Sequence, residues 1–481
     1  MSLLIVGCST DNIPPEVTII SPSNGSTVSD TVTINIMSTD KSGIEKVELW
    51  VDGISTNQSD NTEPYSIDWN TNVFKNTSKH NVSVRSFDNK GNSKDSNPLS
   101  LNVDNTPIMF VKTFGGKNID KGNSIHQTYD GGYILTGFTG STGNGSEDLW
   151  LIKTNSNGEE EWSKTFGGSD SDRGTDVQQT TNGGFIITGS TGQIFEQELW
   201  LLKTNSQGGE EWSKTFGGVW DIGQSVQQTT DGGFIITGRN VPIFDGKTKK
   251  IDLWLIKTNS NGEEVWSKTF GGGREEWDEG VSVKQTKDGG FVITGRTSSF
   301  GNGSEDLWLI KTNSDGEEEW SKTFGGSDRD EGWDVQQTMD GGFVIIGGTK
   351  SIGSGDFDVW IIKTNSLGVE EWSKTFGDSK WDWGTSIQQT TDGGFIVTGM
   401  TKSLGNGKGD VWIIKTDPYG DKEWSKSFGG VHQDQGNDVQ QTSDGGYIIT
   451  GFTESFGSGK YDVWLIKTDS EGNSVPENEW K

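Results

Sequence analysis

Alanine is missing altogether from the 481 residues. It is the strongest helix former, and its absence argues against a fold built on helices. Cysteine occurs once, at Cys8, so no intrachain disulfide can form. Histidine occurs three times, at His80, His126 and His432; only the last falls in a variable loop segment, so no histidine cluster for a metal or a base is expected. Arginine occurs six times, too rarely for the arginine cluster that holds a sialic carboxylate. Basic residues number 40 against 69 acidic ones, giving a net charge of -29. That balance excludes nucleic acid as a partner, because phosphate binding needs clustered Lys and Arg. It equally excludes direct adsorption to anionic lipid. No apolar run is long enough to span a bilayer as a helix.

What is present is glycine (70 residues), tryptophan (21) and abundant Thr, Ser, Val and Ile. This is the composition of short strands joined by tight turns. Residues 16–104 alternate apolar and polar with period two, as in Val32-Thr33-Ile34-Asn35-Ile36 and Val47-Glu48-Leu49-Trp50-Val51. Turn signals such as Pro22-Ser23-Asn24-Gly25 and Asp88-Asn89-Lys90-Gly91 separate the runs. About seven strands in ninety residues fit a β-sandwich. The run from Pro15-Glu16-Val17 to Gly25, followed by Gly43-Ile44-Glu45-Lys46-Val47, resembles the bacterial Ig-like domains of surface proteins. The resemblance implies a spacer or adhesion module. Ahead of it, Ile5-Val6-Gly7-Cys8 resembles a bacterial lipobox without the basic region of a signal peptide. Residues 1–15 are therefore expected to be a truncated lipoprotein signal and tether, with Cys8 as the site of lipid attachment. Membrane contact is expected only through that anchor, on an exported protein of the cell surface or outer membrane.

From residue 106 to 481 the chain repeats itself. A Gly-Gly-aromatic-aliphatic signature begins at Asp130, Asn182, Asp231, Asp288, Asp340, Asp392 and Asp444. Each unit reads Val-Gln-Gln-Thr, Asp-Gly-Gly-Phe-Ile-Ile-Thr-Gly, Asp-Leu-Trp-Leu-Ile-Lys-Thr and Glu-Trp-Ser-Lys-Thr-Phe-Gly-Gly, with small variations. Four strand-length pieces, A to D, in roughly fifty residues make a propeller blade. The expected fold is all-β: a seven-bladed β-propeller preceded by an Ig-like β-sandwich. The repeat is similar to bacterial β-propeller repeats of secreted proteins and, more distantly, to kelch. That likeness implies a fold and no single activity. The segment Phe110-Val111-Lys112-Thr113-Phe114 is a D-type piece ahead of any A piece, with Phe110 in the tryptophan position. It is expected to pair with 462–468 and complete the seventh blade. The stub at Trp480 would then be redundant, or would extend the same edge.

Strand C supplies Trp150, Trp200, Trp254, Trp308, Trp360, Trp412 and Trp464, and strand D supplies Trp162 to Trp424 and the terminal Trp480. Their regular recurrence makes them packing residues. Each D-to-A loop also keeps an Asp-x-Gly, at Asp120, Asp172, Asp221, Asp278, Asp330, Asp382 and Asp434. Such an aspartate commonly bonds nearby N–H groups and fixes its loop. Seven carboxylates on one ring also make calcium the one cofactor to consider. The A-to-B and C-to-D turns hardly vary, whereas the D-to-A and B-to-C loops at the opposite end vary strongly. The irregular tryptophans Trp220, Trp277, Trp333, Trp381 and Trp383 all fall in or beside D-to-A loops of four consecutive repeats, with Arg329 at the equivalent position of one of them. Packing demand is equal in every repeat and does not explain this one-sided distribution. These residues are expected to form an aromatic platform for an extracellular glycan or surface protein, with Arg274, Glu275, Glu276 and Asp330 nearby. No catalytic constellation appears. The expectation is a monomeric adhesion protein. A glycan-active hydrolase or lyase and a purely structural scaffold are the alternatives.

Overall fold

The computed structural model describes residues 12–29, 31–71, 73–74, 78–104, 108–193, 196–241, 250–273, 276–405 and 407–480. Cys8, Arg274 and Glu275 lie outside the described residues. The chain divides into two compact units, Met1–Pro107 and Ile108–Lys481. Both are built of strands, and the one helical element described is the 3-10 turn Glu477–Glu479. Among the described residues no helix is long and apolar enough to cross a membrane.

In the first unit the strands Glu16–Ser21, Thr31–Thr39 and Ser66–Asn70 form one sheet. Ile44–Val51, Ile54–Asp60, Ser78–Asp88 and Leu99–Val103 form the body of a second, extended by the short strands Thr27–Val28 and Ser93–Asp95. The period-two pattern places alternate side chains inward. Val17, Ile19, Ile34 and Ile36 from one sheet meet Val47, Leu49, Val82, Val84 and Leu101 from the other, with Trp69 among them.

The second unit holds seven four-stranded antiparallel sheets, I to VII. Sheet I contains A, Asp120–Gln127; B, Tyr133–Thr139; C, Asp148–Thr154; and D, Glu160–Phe166. Sheets II to VI repeat that order over 173–216, 222–270, 278–324, 330–376 and 382–428. Sheet VII takes A, B and C from 434–468 and its fourth strand from Phe110–Phe114, which pairs antiparallel with Asp462–Thr468 in the register Phe110 to Lys467.

Strands B and C are buried on both faces because each sheet is sandwiched between two others, so they read as continuous apolar runs and not as alternating ones. The strand C indoles are almost fully enclosed. The strand D indole of one sheet lies over the C-to-D turn of the next. A Cβ added at Gly208 would sit 2.6 Å from Cζ3 of Trp162, and one at Gly158 would sit 2.6 Å from Cζ of Phe110. Both glycines also have positive φ, 73° and 71°, so side-chain absence is needed twice over. Phe110 thus fills the place that Trp162 fills one sheet on. Trp480 is in no strand. It follows the 3-10 turn and packs its ring against Phe428, Phe456 and Trp464, with Nε1 donating to the Val475 carbonyl at 2.9 Å. It is neither redundant nor an edge extension.

Side chains also tie the sheets together in order. The last glutamine of each A strand accepts from a backbone N–H in the A-to-B turn of the preceding sheet: Tyr129 to Gln179, Thr181 to Gln228, Thr230 to Gln285, Lys287 to Gln337, Met339 to Gln389 and Thr391 to Gln441, at 2.8 to 2.9 Å. Ser443 N–H donates to Gln127 at 3.0 Å, which returns the series to sheet I. Every C strand buries a lysine. Lys311, for example, donates to the Thr312 carbonyl at 2.8 Å and pairs with Asp288 and Glu319, both at 3.0 Å. It thereby fastens the A-to-B turn to strand D.

Candidate functional site

The repeat dictates nearly every position, so a site must lie where the sheets differ. One such place is the pairing of the A-strand residue that follows each loop aspartate with the sixth B residue. Around the sheets these pairs are Lys121 with Phe138, Arg173 with Ser190, Ile222 with Arg239, Glu279 with Arg296, Glu331 with Gly348, Trp383 with Met400, and Gln435 with Phe452. No two are alike. Several of these residues line a cavity of about 620 Å³ between the A strands, at the end carrying the D-to-A and B-to-C loops.

Three of the expected ligand residues, Trp333, Trp381 and Trp383, line this cavity. Trp333 and Trp383 have centroids 5.3 Å apart at 60°, and Trp381 and Trp383 are 6.0 Å apart at 75°. Phe357 supports both Trp381 and Trp383, at 5.7 and 4.8 Å. Sheet V makes room for this cluster with Gly348, where an added Cβ would lie 3.1 Å from Phe357 and 3.4 Å from Trp383. Lys402 stands over the Trp381 ring at 4.7 Å, and that residue is 38% exposed. The lining also carries the amides of Asn123, Gln224, Gln433, Gln435 and Asn437, and Gln433 Nε2 reaches Sδ of Met400, the cross-strand partner of Trp383, at 3.8 Å.

The other expected ligand residues lie elsewhere. Trp277 is held between Arg239 and Arg296, at 5.7 and 5.2 Å from its ring. Its Nε1 donates to Glu279 at 3.4 Å. Trp220 has φ of 65°, and its carbonyl accepts from Arg239 Nε at 3.2 Å. Arg329 pairs with Glu305 at 2.8 Å and contacts Glu331. Arg296 joins Glu279 at 2.8 Å to Glu331 at 3.0 Å. The tryptophans therefore form no single platform. One set faces the cavity, and Trp277 belongs to an arginine–glutamate network in the wall. Burial opposes ionisation of Glu279, but Arg296 and Arg239 outweigh it and hold its carboxyl below the usual range. Glu276 accepts from Gly273 N–H and from Ser299 Oγ and faces its own loop.

The floor of the cavity is polar. At one level the A strands present Ser124, Asp176, Ser225, Ser282, Asp334, Ser386 and Asp438. Ser124 donates to Asp176 at 2.8 Å and to Asp438 at 3.2 Å, Ser225 to Asp176 at 3.1 Å, Ser282 to Asp334 at 2.7 Å, and Ser386 to Asp438 at 2.8 Å. Alternation of hydroxyl and carboxylate cannot go evenly round seven positions, and the like pair falls at Ser225 and Ser282. Two residues after Ser282, Lys284 replaces the glutamine found at most equivalent positions. Burial alone would lower its pKa, but Asp334, Asp176 and Asp438 outweigh it and keep the ammonium charged. Burial, with Asp334 and Asp176 adding like charge, raises the Asp438 carboxyl to about 6 despite bonds from Ile125 N–H and Ser386.

The seven loop aspartates are held by their own loops. Asp278 accepts from Thr297 Oγ1 at 2.5 Å, from Ser299 Oγ and from Gly272 N–H at 3.2 Å. The same threonine and serine pattern serves Asp120, Asp330, Asp382 and Asp434. Asp172 accepts from Thr191 Oγ1 and Gly168 N–H, and Asp221 from the N–H groups of Gly218 and Val241. These bonds hold each repeated aspartate within its own loop. Among the described residues no three acidic, histidine or cysteine side chains are grouped to hold a metal.

Residues 15–84 match the family model of the bacterial Ig domain. The first unit carries a bacterial Ig domain. No curated protein matches the chain. Among solved structures, the fibronectin(III)-like modules of Clostridium thermocellum CbhA are 22% identical, over 18% of this chain and 96% of theirs, with a TM-score of 0.17. An ulvan lyase of polysaccharide lyase family PL25 is 10% identical over 75% of this chain and 96% of its own, with a TM-score of 0.47. The α-L-arabinanase of Penicillium chrysogenum, solved with arabinobiose, is 12% identical over 61% and 92%, with a TM-score of 0.40.

Sequence reasoning points to Trp333, Trp381 and Trp383 but misses Lys284, Asp176, Asp334 and Asp438. The signal is there: Lys284 and His126 are the two departures from glutamine at the second place of Val-Gln-Gln-Thr, and the position two places earlier holds only serine or aspartate.

Proposed function

We propose that the protein is an exported cell-surface binding protein. In this reading the second unit is a seven-bladed β-propeller, closed by pairing of Phe110–Phe114 with its last blade, and it takes a glycan in the cavity at the variable-loop end. The observation that carries the reading is the aromatic cluster of Trp333, Trp381 and Trp383 in a cavity whose lining also carries amide side chains. Flat indoles stack on the C–H faces of sugar rings, and amides both donate to and accept from hydroxyls. The bacterial Ig domain supports an extracellular setting. A glycan array probed with the wild type and with Trp381→Ala/Trp383→Ala tests it. The wild type should retain a subset of glycans that the variant loses, whereas Trp220→Ala/Trp277→Ala should keep them. Retention of every glycan by the folded Trp381→Ala/Trp383→Ala variant would remove the cavity from consideration. A reducing-end assay on the retained glycans separates binding from hydrolysis or lysis.

A further inference from the structure

The Ig domain brings together a serine, a histidine and an aspartate in a hydrogen-bonded chain. Ser78 and His80 are two apart on the strand Ser78–Asp88, so their side chains share one face. Ser78 Oγ lies 2.7 Å from His80 Nε2, and His80 Nδ1 lies 2.7 Å from Asp52 Oδ2. Asp52 occupies the two-residue hairpin turn with Gly53, where φ is 51° and 78°. Such a turn requires positive φ at both positions. The other carboxylate oxygen of Asp52 accepts from Asn81 N–H at 2.8 Å, and its own N–H donates to the Asn81 carbonyl at 2.8 Å. The imidazole packs against Phe74, 4.1 Å between centroids, and Trp69, 6.2 Å. The orientation of all three groups is thus set by turn, strand and packing. With a carboxylate at Nδ1, that nitrogen carries the proton, and Nε2 is left as acceptor for the serine hydroxyl.

We propose that Ser78, His80 and Asp52 form an acyl-transfer site, with Ser78 the nucleophile, His80 the general base and Asp52 the positioning residue, acting on small acyl esters. The atoms and the order of contacts are those that activate a serine in hydrolases on unrelated folds. Ser78 Oγ attacks the ester carbonyl carbon while its proton passes to His80 Nε2. The alcohol oxygen of the ester leaves with that proton. Water then attacks the acyl-serine, giving its proton to His80, and Ser78 recovers its hydrogen as the carboxylic acid departs. Ester and water are consumed, and acid and alcohol are formed. Ser78 is half-buried, and a short acyl group makes the smallest steric demand on such a residue.

The test uses the full chain with a fluorophosphonate, followed by peptide mapping, and 4-nitrophenyl acetate turnover in parallel. Ser78 should be labelled at least tenfold faster than any other serine. Ser78→Ala should abolish labelling of its peptide and the burst of nitrophenol. Asp52→Asn and His80→Gln should each slow labelling at least tenfold, with the thermal transition unchanged. Asp52→Asn decides the matter if His80→Gln unfolds, because the hairpin tolerates asparagine at that φ. Labelling of Ser78 no faster than of other serines, or at an unchanged rate in folded Asp52→Asn, overturns the proposal. Neither result bears on the propeller cavity.

Discussion

Replacing Asp438 by asparagine should alter how stability depends on pH. Its carboxyl is held at about 6 against an ordinary 3.8, chiefly by burial and then by the like charges of Asp334 and Asp176. The folded state therefore binds this proton more tightly than the unfolded state. Between pH ~4 and ~6 the native protein carries it and the unfolded chain does not, so stability falls as pH rises through that window, and above 6 the loss is complete. A shift of about two pKa units corresponds to about 3 kcal/mol at 1.36 kcal/mol per unit. The side chain lines a cavity and is not sealed off, so this is an upper bound. The amide introduced by Asp438→Asn cannot ionise. Whatever the fixed cost of that substitution, the variant's stability relative to wild type should improve by about 1 to 3 kcal/mol on going from pH 4 to pH 7.5. Urea midpoints followed by tryptophan fluorescence at several pH values measure this difference. A difference that stays flat from pH 4 to pH 8 would refute the assignment of a raised carboxyl at this floor.

Opposite behaviour is expected at the A-to-B turns. Asp231 and Asp340 are held at about 2, because bonds from Thr229, Gly233 N–H and Lys257, and from Thr338, Lys363 and Gly342 N–H, outweigh burial. Their contribution should be full above pH ~4 and lost as pH falls through ~2, visible as acid unfolding that Asp231→Asn makes less steep. Lys311→Met removes a buried cation from Asp288, Glu319 and the Thr312 carbonyl. It should lower stability by about 1 to 3 kcal/mol in denaturant titration, through the carbonyl left unpaired. Gly208→Ala should cost at least about 2 kcal/mol, since φ of 73° and the Trp162 ring both oppose a methyl group. If Cys8 carries lipid, the wild type expressed in a bacterial host should partition into detergent and Cys8→Ser should not.

The fold is legible because the same short pieces recur with unchanged turns. Asp-Gly-Gly and Asn-Ser-x-Gly mark hairpins by the positive φ that glycine supplies, and the apolar runs between them are too short for anything but strands. Trp480 departs from its local pattern for an instructive reason. By local sequence, Glu479-Trp480 matches the strand D signature. The place beside Asp462–Thr468 is taken by Phe110–Phe114, a competitor from the far end of the unit. Local pattern states what a segment is able to form. Long-range pairing decides whether a partner is free.

The site is legible only in part, and the missing part has one physical cause. An excess tryptophan stands out against a repeat, but whether it faces a cavity depends on its neighbours in its own and the adjoining sheet. Trp383 faces the cavity because Gly348 leaves room beside it. Trp277 is held in the wall because Arg239 and Arg296 close on its ring. Those neighbours are the sixth B residues of different repeats, so reading along the chain does not bring them together. The same holds for Ser78, His80 and Asp52, which a hairpin and a strand unite across 28 residues. In a repeat protein the recurring positions build the frame. Where one position varies from sheet to sheet, its meaning lies in the pair it makes with the neighbouring sheet, and function should be sought in those pairs.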